Sequence, residues 1–149
     1  MTISFTNIWK DKILDQIRSF LRAEFKTMIS CYVGEYQSLG NESIRIEPMS
    51  SELVSISDFQ ETRKYTVQVS YYFNNRNTKK TSLDHILRRV SHIEALFQNN
   101  GFKNDTSGNV YYNAKLVSSS IDAPIIDEEE FSGKIVRWVW EGSHKGNIS

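Results

Sequence analysis

Residues 63–73 read Arg63-Lys64-Tyr65-Thr66-Val67-Gln68-Val69-Ser70-Tyr71-Tyr72-Phe73. Tyr65, Val67, Val69, Tyr71 and Phe73 fall on one side of an extended chain. Lys64, Thr66, Gln68, Ser70 and Tyr72 fall on the other. Strict alternation of this length predicts a strand with one buried and one wetter face. It puts a sheet at the centre of the fold, and the rest of the chain can be read outward from it.

On the N-terminal side, Ser43 to Ile56 also reads as extended, with Ile44 and Ile46 alternating with Arg45 and Glu47. Pro48 has no N–H to give a ladder, so it belongs at an edge or a break. Leu53, Val54 and Ile56 resume the apolar pattern, and residues 57–62 read as a polar connection. Further upstream, Ile29 to Tyr36 allows a short strand, after which Gly34, Gly40 and Asn41 mark a loop. Before it, Thr6 or Asn7 can cap a helix. Ile13, Leu14, Ile17, Phe20, Leu21 and Met28 recur at three- and four-residue steps. Lys10, Asp11, Lys12, Asp15, Arg18, Arg22 and Glu24 fill the other side, which predicts an amphipathic helix of about five turns.

On the C-terminal side, Asn74 to Thr81 is a polar break and Ser82 the expected cap of a second helix. The apolar stripe of that helix is Leu83, Ile86, Leu87, Val90, Ile93, Leu96 and Phe97, and Gly101 is its stop. Two strands follow. Val110 to Ser120 places Val110, Tyr112, Ala114 and Leu116 on one face. Lys134 to Glu141 sets Val136, Trp138 and Trp140 against Ile135, Arg137 and Val139. Between them lie Pro124 and the acidic run Asp127, Glu128, Glu129 and Glu130. From Gly142 the chain reads as a loose polar tail. Helix, strands, helix and strands in this order predict an α+β two-layer sandwich, a mostly antiparallel sheet with two helices on one face.

The 149 residues match a single domain. With 39% hydrophobic and 24% charged residues the chain is of ordinary globular composition. Eighteen basic residues balance eighteen acidic ones, so no global field draws the protein to a phosphate backbone. No apolar run is long enough to span a bilayer, and the N-terminus lacks a signal-peptide pattern. The lone Cys31 has no intrachain partner and reads as a small core residue in a reducing, cytosolic setting.

Chemistry-bearing constellations are not legible. His85 and His92 are seven residues apart on one helix, too far to share a small ion, and His144 stands alone. No nucleophile elbow and no glycine-rich phosphate loop occurs. No catalytic residue, metal ligand or cofactor site is therefore assigned. Asp127 to Glu130 do not have the spacing of a calcium loop. They read either as a solvated turn or as an acidic loop shown to a partner or a channel. Lys79, Lys80, Arg88 and Arg89 form a small basic cluster beside Tyr71, Tyr72 and Phe73. Alternation of the aromatics is explained by core packing. Trp138 and Trp140 share one face of the last strand and are either core or an aromatic stripe fit for an interface.

The layout resembles that of phage tail terminator (tail completion) proteins and related neck and minor tail proteins. The likeness lies in the long amphipathic first helix, the strand pair with a long connection, the helix Leu83 to Phe97 and a closing hairpin. The hairpin reads Tyr-Tyr-Asn-Ala-Lys-Leu-Val-Ser-Ser-Ser, then an acidic loop, then Lys-Ile-Val-Arg-Trp-Val-Trp, basic and aromatic as in that family. It spans residues 8–141, and its motifs are diffuse.

The resemblance implies a non-enzymatic virion protein that assembles in the host cytoplasm as a hexameric ring. Such a ring caps the tail tube and joins it to the head connector, with DNA passing through its lumen without specific binding. Asp127, Glu128, Glu129 and Glu130 are the candidate lumen- or partner-facing acidic loop, and Tyr72, Arg137, Trp138 and Trp140 the candidate subunit-interface residues. A neck or minor tail adaptor, or a small cellular protein-binding module, is the alternative. The latter predicts a stable monomer with an exposed aromatic patch.

Overall fold

The computed structural model describes residues 6–34, 42–57, 60–74, 79–105, 108–122 and 133–147. A π-helical stretch, Trp9–Leu14, runs directly into α1 (Asp15–Phe25). There follow β1 (Ser30–Val33), β2 (Glu42–Ile56), β3 (Gln60–Asn74), α2 (Lys79–Asn99), β4 (Lys103–Asp105), β5 (Gly108–Asp122) and β6 (Gly133–Asn147). The strands form one sheet in the order β1-β2-β3-β6-β5-β4, in which only β1 and β2 are parallel. Both helices lie on one face of it, so the α+β sandwich expected from the sequence is the fold.

The alternation of residues 63–73 holds for the helix face, but on the face read as wetter Ser70 and Tyr72 are buried as well, at 2% and 5% exposed. Val67, Val69 and Tyr71 are buried and stand opposite Trp140, Trp138 and Val136 of β6. From β2, Ile44 and Ile46 extend the same apolar surface. Ile13, Leu14, Ile17, Phe20, Leu21 and Phe25 cover it from the first helix, and Ile86, Ile93 and Phe97 from α2. Phe20 meets Phe97 edge-on at 5.0 Å, which packs the two helices against each other.

The first helix begins where Asn7 Oδ1 accepts the Lys10 backbone N–H. Its widened π turn lets the adjacent Ile13 and Leu14 both be buried, and Trp9 stands edge-on to Tyr65 at 4.8 Å. Lys26, at φ 52°, ends the helix one residue after Phe25. Met28 is consequently outside the helix and exposed, not part of its apolar stripe.

Several boundaries differ from the sequence reading. Of the connection 57–62, residues 60–62 continue β3, and Ser57 N–H donates to Gln60 O. The second helix starts at Lys79, ahead of Ser82, so Ser82 is inside the helix and does not mark its boundary. Leu87 is exposed.

On β5 Tyr111 faces the core, where the sequence pattern suggested Tyr112. The cause is a bulge: Asn113 sits at φ 56°, the register shifts between Tyr112 and Lys115, and Tyr111 comes to share a face with Ala114. Asn is among the few side chains that tolerate this left-handed conformation.

The loose tail expected from Gly142 is instead the end of β6. Residues 142–147 pair with Tyr65 back to Gln60. His144 is buried there, its Nδ1 2.6 Å from Val110 O. Gly142 is required because the Trp140 indole lies where a side chain would stand, 2.3 Å from the position of an added Cβ. Gly142→Ala is therefore expected to displace Trp140 and cost about 1–3 kcal/mol, the usual range for overpacking. A urea midpoint equal to that of the parent protein would contradict this packing.

Candidate functional site

Two places concentrate polar or unsatisfied chemistry. The first is where β2 begins. Glu42 Oε1 accepts from the Tyr71 hydroxyl at 2.5 Å and the Arg89 Nε–H at 3.1 Å, and lies 2.8 Å from His85 Nε2. Arg89 Nη2 donates to Oε2 at 3.3 Å. Phe73 stacks on His85 and Arg89 lies over Phe25. The Glu42 side chain is only 12% exposed. Burial pushes its carboxyl upward, but the bonds from Tyr71, His85 and Arg89 outweigh that, and the net shift is below the ordinary carboxylate value. Burial, with the adjacent Glu42 charge, raises Tyr71. Tyr71, His85 and Arg89 converge on one carboxylate, which leaves it poorly placed to take a proton from a substrate. Its effect is to fasten the first residue of β2 to α2.

Sequence reasoning missed this cluster. Glu42 is 43 residues from His85 and 47 from Arg89, and no local spacing signals such a contact. Arg89, read as part of a basic surface cluster, is turned inward. His92 is likewise engaged, its Nε2 2.8 Å from Glu24 Oε1 on α1. Cys31 is in the core, and burial pushes its thiol up to about 11, with Arg22 and Arg18 pulling weakly the other way. It is protonated at neutral pH and a poor nucleophile.

The second place is the pair of sheet edges. β1 accompanies β2 only from Ser43 to Ile46. Beyond that, β2 is the margin of the sheet, an arm paired on its inner side with β3, which is itself paired with β6 throughout, and its side chains Met49, Leu53, Val54 and Ile56 are all exposed, Ile56 at 62%. At the other end of the sheet a groove of about 420 Å³ runs between α2 and β5. Glu94 and Gln98 form one wall and residues 114–119 the other. Trp138 contributes to its lining and donates Nε1–H to Glu94 Oε1 at 3.0 Å.

The residues proposed for subunit contact fare unevenly. Trp138 and Trp140 are 1% and 0% exposed and belong to the core, so they form no exposed aromatic stripe. Tyr72 is on the opposite face of the sheet, beside Ser43 and Ile135, but is only 5% exposed. Burial in the folded chain removes these three from any docking surface. Arg137 is half-buried on that same face, paired in register with Ser70 and Ser120. Asp127, Glu128, Glu129 and Glu130 lie outside the described residues.

Among the described residues no group of three or more His, Cys, Asp or Glu is placed to hold a metal ion. Nor is any helix long and apolar enough to cross a membrane. No protein-family model matches the chain, and no curated protein is similar to it in sequence.

The depressed Glu42 carboxyl makes a signed prediction. A group whose folded pKa is below its unfolded value adds stability above the unfolded value, and that stability is lost as pH falls through the folded value. Glu42→Gln is expected to lower stability at about pH 7 by about 1.5–3 kcal/mol. The gap from the parent protein should narrow as the pH is taken down to about 3. Urea unfolding of both proteins across that range checks it, and a pH-independent gap would show that the charge of Glu42 is not what matters.

Proposed function

We propose that the chain is a structural virion protein, a tail terminator that closes into a ring, caps the tail tube and joins it to the head connector. The observation that carries this reading is the β2–β3 arm. Met49, Leu53, Val54 and Ile56 are exposed along it on a strand whose outer edge has no backbone partner among the described residues. Proteins that remain monomeric cover such an edge or load it with charge. Pro48, two register shifts and the exposed Glu52 guard this edge in part, and the apolar surface they leave fits a chain that meets another polypeptide. Contacts that join different patches on successive copies generate a ring when their rotation closes.

The reading also fits the polar chemistry found. The Glu42 cluster is internally satisfied, and Cys31 is sealed in the core. The virion is accordingly the proposed location, with the tail tube and head connector as partners.

Native mass by light scattering, followed by negative-stain imaging, tests the reading. Closed rings of about six subunits are expected, and added tail-tube protein should give capped tubes of limited length. A protein that stays monomeric at every concentration, beside tubes that grow unchecked, would overturn it.

A further inference from the structure

Asn100–Gly101 is the only Asn-Gly pair in the sequence. It stands where α2 has ended and the chain turns towards β4. Packing requires the glycine, because a Cβ on Gly101 would stand 2.9 Å from Ala114 O. In the same close approach Gly101 O accepts the Ala114 N–H at 2.9 Å. Asn100 is held at three atoms. Its Nδ2–H donates to Leu96 O at 2.8 Å, its backbone N–H donates to Phe97 O at 3.1 Å, and its O accepts from the Tyr111 hydroxyl at 2.7 Å. Tyr111 is itself buried, edge-on to Trp140. The two residues therefore cap the end of α2 and fasten it to the start of β5.

An asparagine followed by glycine is open to attack by its own main chain, because glycine sets no side chain beside the attacking nitrogen. The Gly101 nitrogen adds to Asn100 Cγ and forms a new N–Cγ bond. The Cγ–Nδ2 bond breaks, and Nδ2 leaves as ammonia with the proton given up by Gly101. Water then opens the cyclic imide at either carbonyl. One opening leaves aspartate in the ordinary chain, the other isoaspartate, in which the main chain runs through the side-chain carbon.

The folded geometry opposes the first step. Attack requires the Asn100 side chain to turn over the peptide that follows it, and the bond to Leu96 O holds it against the preceding turn of α2. The products do not fit the place that the asparagine leaves. Aspartate has no Nδ2–H for Leu96 O, and its charge falls at the negative end of the helix. Isoaspartate lengthens the main chain directly before Gly101, where the contact with Ala114 leaves no slack.

We propose that Asn100 is a deamidation site gated by this joint. It is protected while α2 is fastened to β5, reacts through the Gly101 imide when the joint opens, and once converted weakens the joint that protected it. The inference concerns the single chain and is independent of the assembly reading.

Peptide mass mapping at residue 100 tests it, with native protein and guanidinium-unfolded chain incubated in the same mildly alkaline buffer. Conversion is expected to be at least about tenfold faster in the unfolded chain, where all three bonds are absent. Equal rates would overturn the gate, and an unreactive Asn100 in the unfolded chain would overturn the site. Tyr111→Phe removes one of the three bonds and should speed conversion in the native protein by about 2–10-fold, the range that one neutral hydrogen bond gives. Ile17→Val trims the core on α1 and should leave that rate unchanged, because helix ends open locally without the whole domain unfolding. Equal acceleration by both variants would mean that Asn100 reacts only after global unfolding, and the joint would not be the gate. Asn100→Asp, which makes one product directly, should lower the urea midpoint, and a midpoint equal to the parent's would overturn the claim that conversion weakens the joint.

Discussion

The pairing of β3 with β6 is the constraint on which the rest of the molecule depends. It runs from Gln60–Asn147 to Asn74–Gly133 without a register shift. A slip of one residue would turn either Val67, Val69 and Tyr71 of β3 or Trp138 and Trp140 of β6 from the helix face to the other. Each tryptophan then fixes a neighbour: Trp138 bonds Glu94 on α2, and Trp140 stands edge-on to Tyr111 on β5 at 5.5 Å. Burying an aromatic of roughly 150–250 Å² is worth about 4–6 kcal/mol as an upper figure. The Trp140 Nε1–H has no partner among the described residues, a cost of about 1–3 kcal/mol. The apolar gain is the larger, which is why this position can hold an indole with an unanswered donor.

The regular centre contrasts with the outer strands. β2 shifts register twice against β3, and β5 shifts twice against β6. A central strand has two ladders to satisfy, so a bulge there would break both. An edge strand has one, and can bend without stranding a second neighbour. Polar contacts then hold the helix layer to this irregular margin. Glu42 draws β2 to Arg89 and His85, and Glu24 meets His92, so α2 is tied to both β2 and α1.

What could be read from the sequence follows from which forces are local. The strand 63–73 and the last strand were legible because burial on one sheet face imposes a period of two on consecutive residues. The helix stripes were legible for the same reason at a longer period, with Met28 lost once Lys26 ends α1. The face assignment on β5 failed at Asn113, because one residue at positive φ resets the alternation and Asn does not announce it. The tail from Gly142 was misread because its residues are small and polar. What orders it is a ladder to β3 and the bond from His144 to Val110, both distant in sequence. The Glu42 cluster was invisible on the same ground. The tryptophans were seen, but period alone does not say which face of a strand the helices cover.

The arm, finally, is not a satellite of the core that lost its cover by chance. The helix layer meets the distal sheet through Trp9, which stands on Tyr65, and Ile8, which approaches Gly146. Leu53 and Ile56 lie across the ladder from Arg63 and Glu61, which pair with each other on that part of β3. The inner strand of the arm carries Arg63, Glu61 and Lys64, and the outer one carries the exposed apolar residues together with Glu52, 73% exposed and 3.5 Å from Lys64. Leu53, Val54 and Ile56 leave exposed apolar surface along that margin, which Pro48, two register shifts and Glu52 guard only in part.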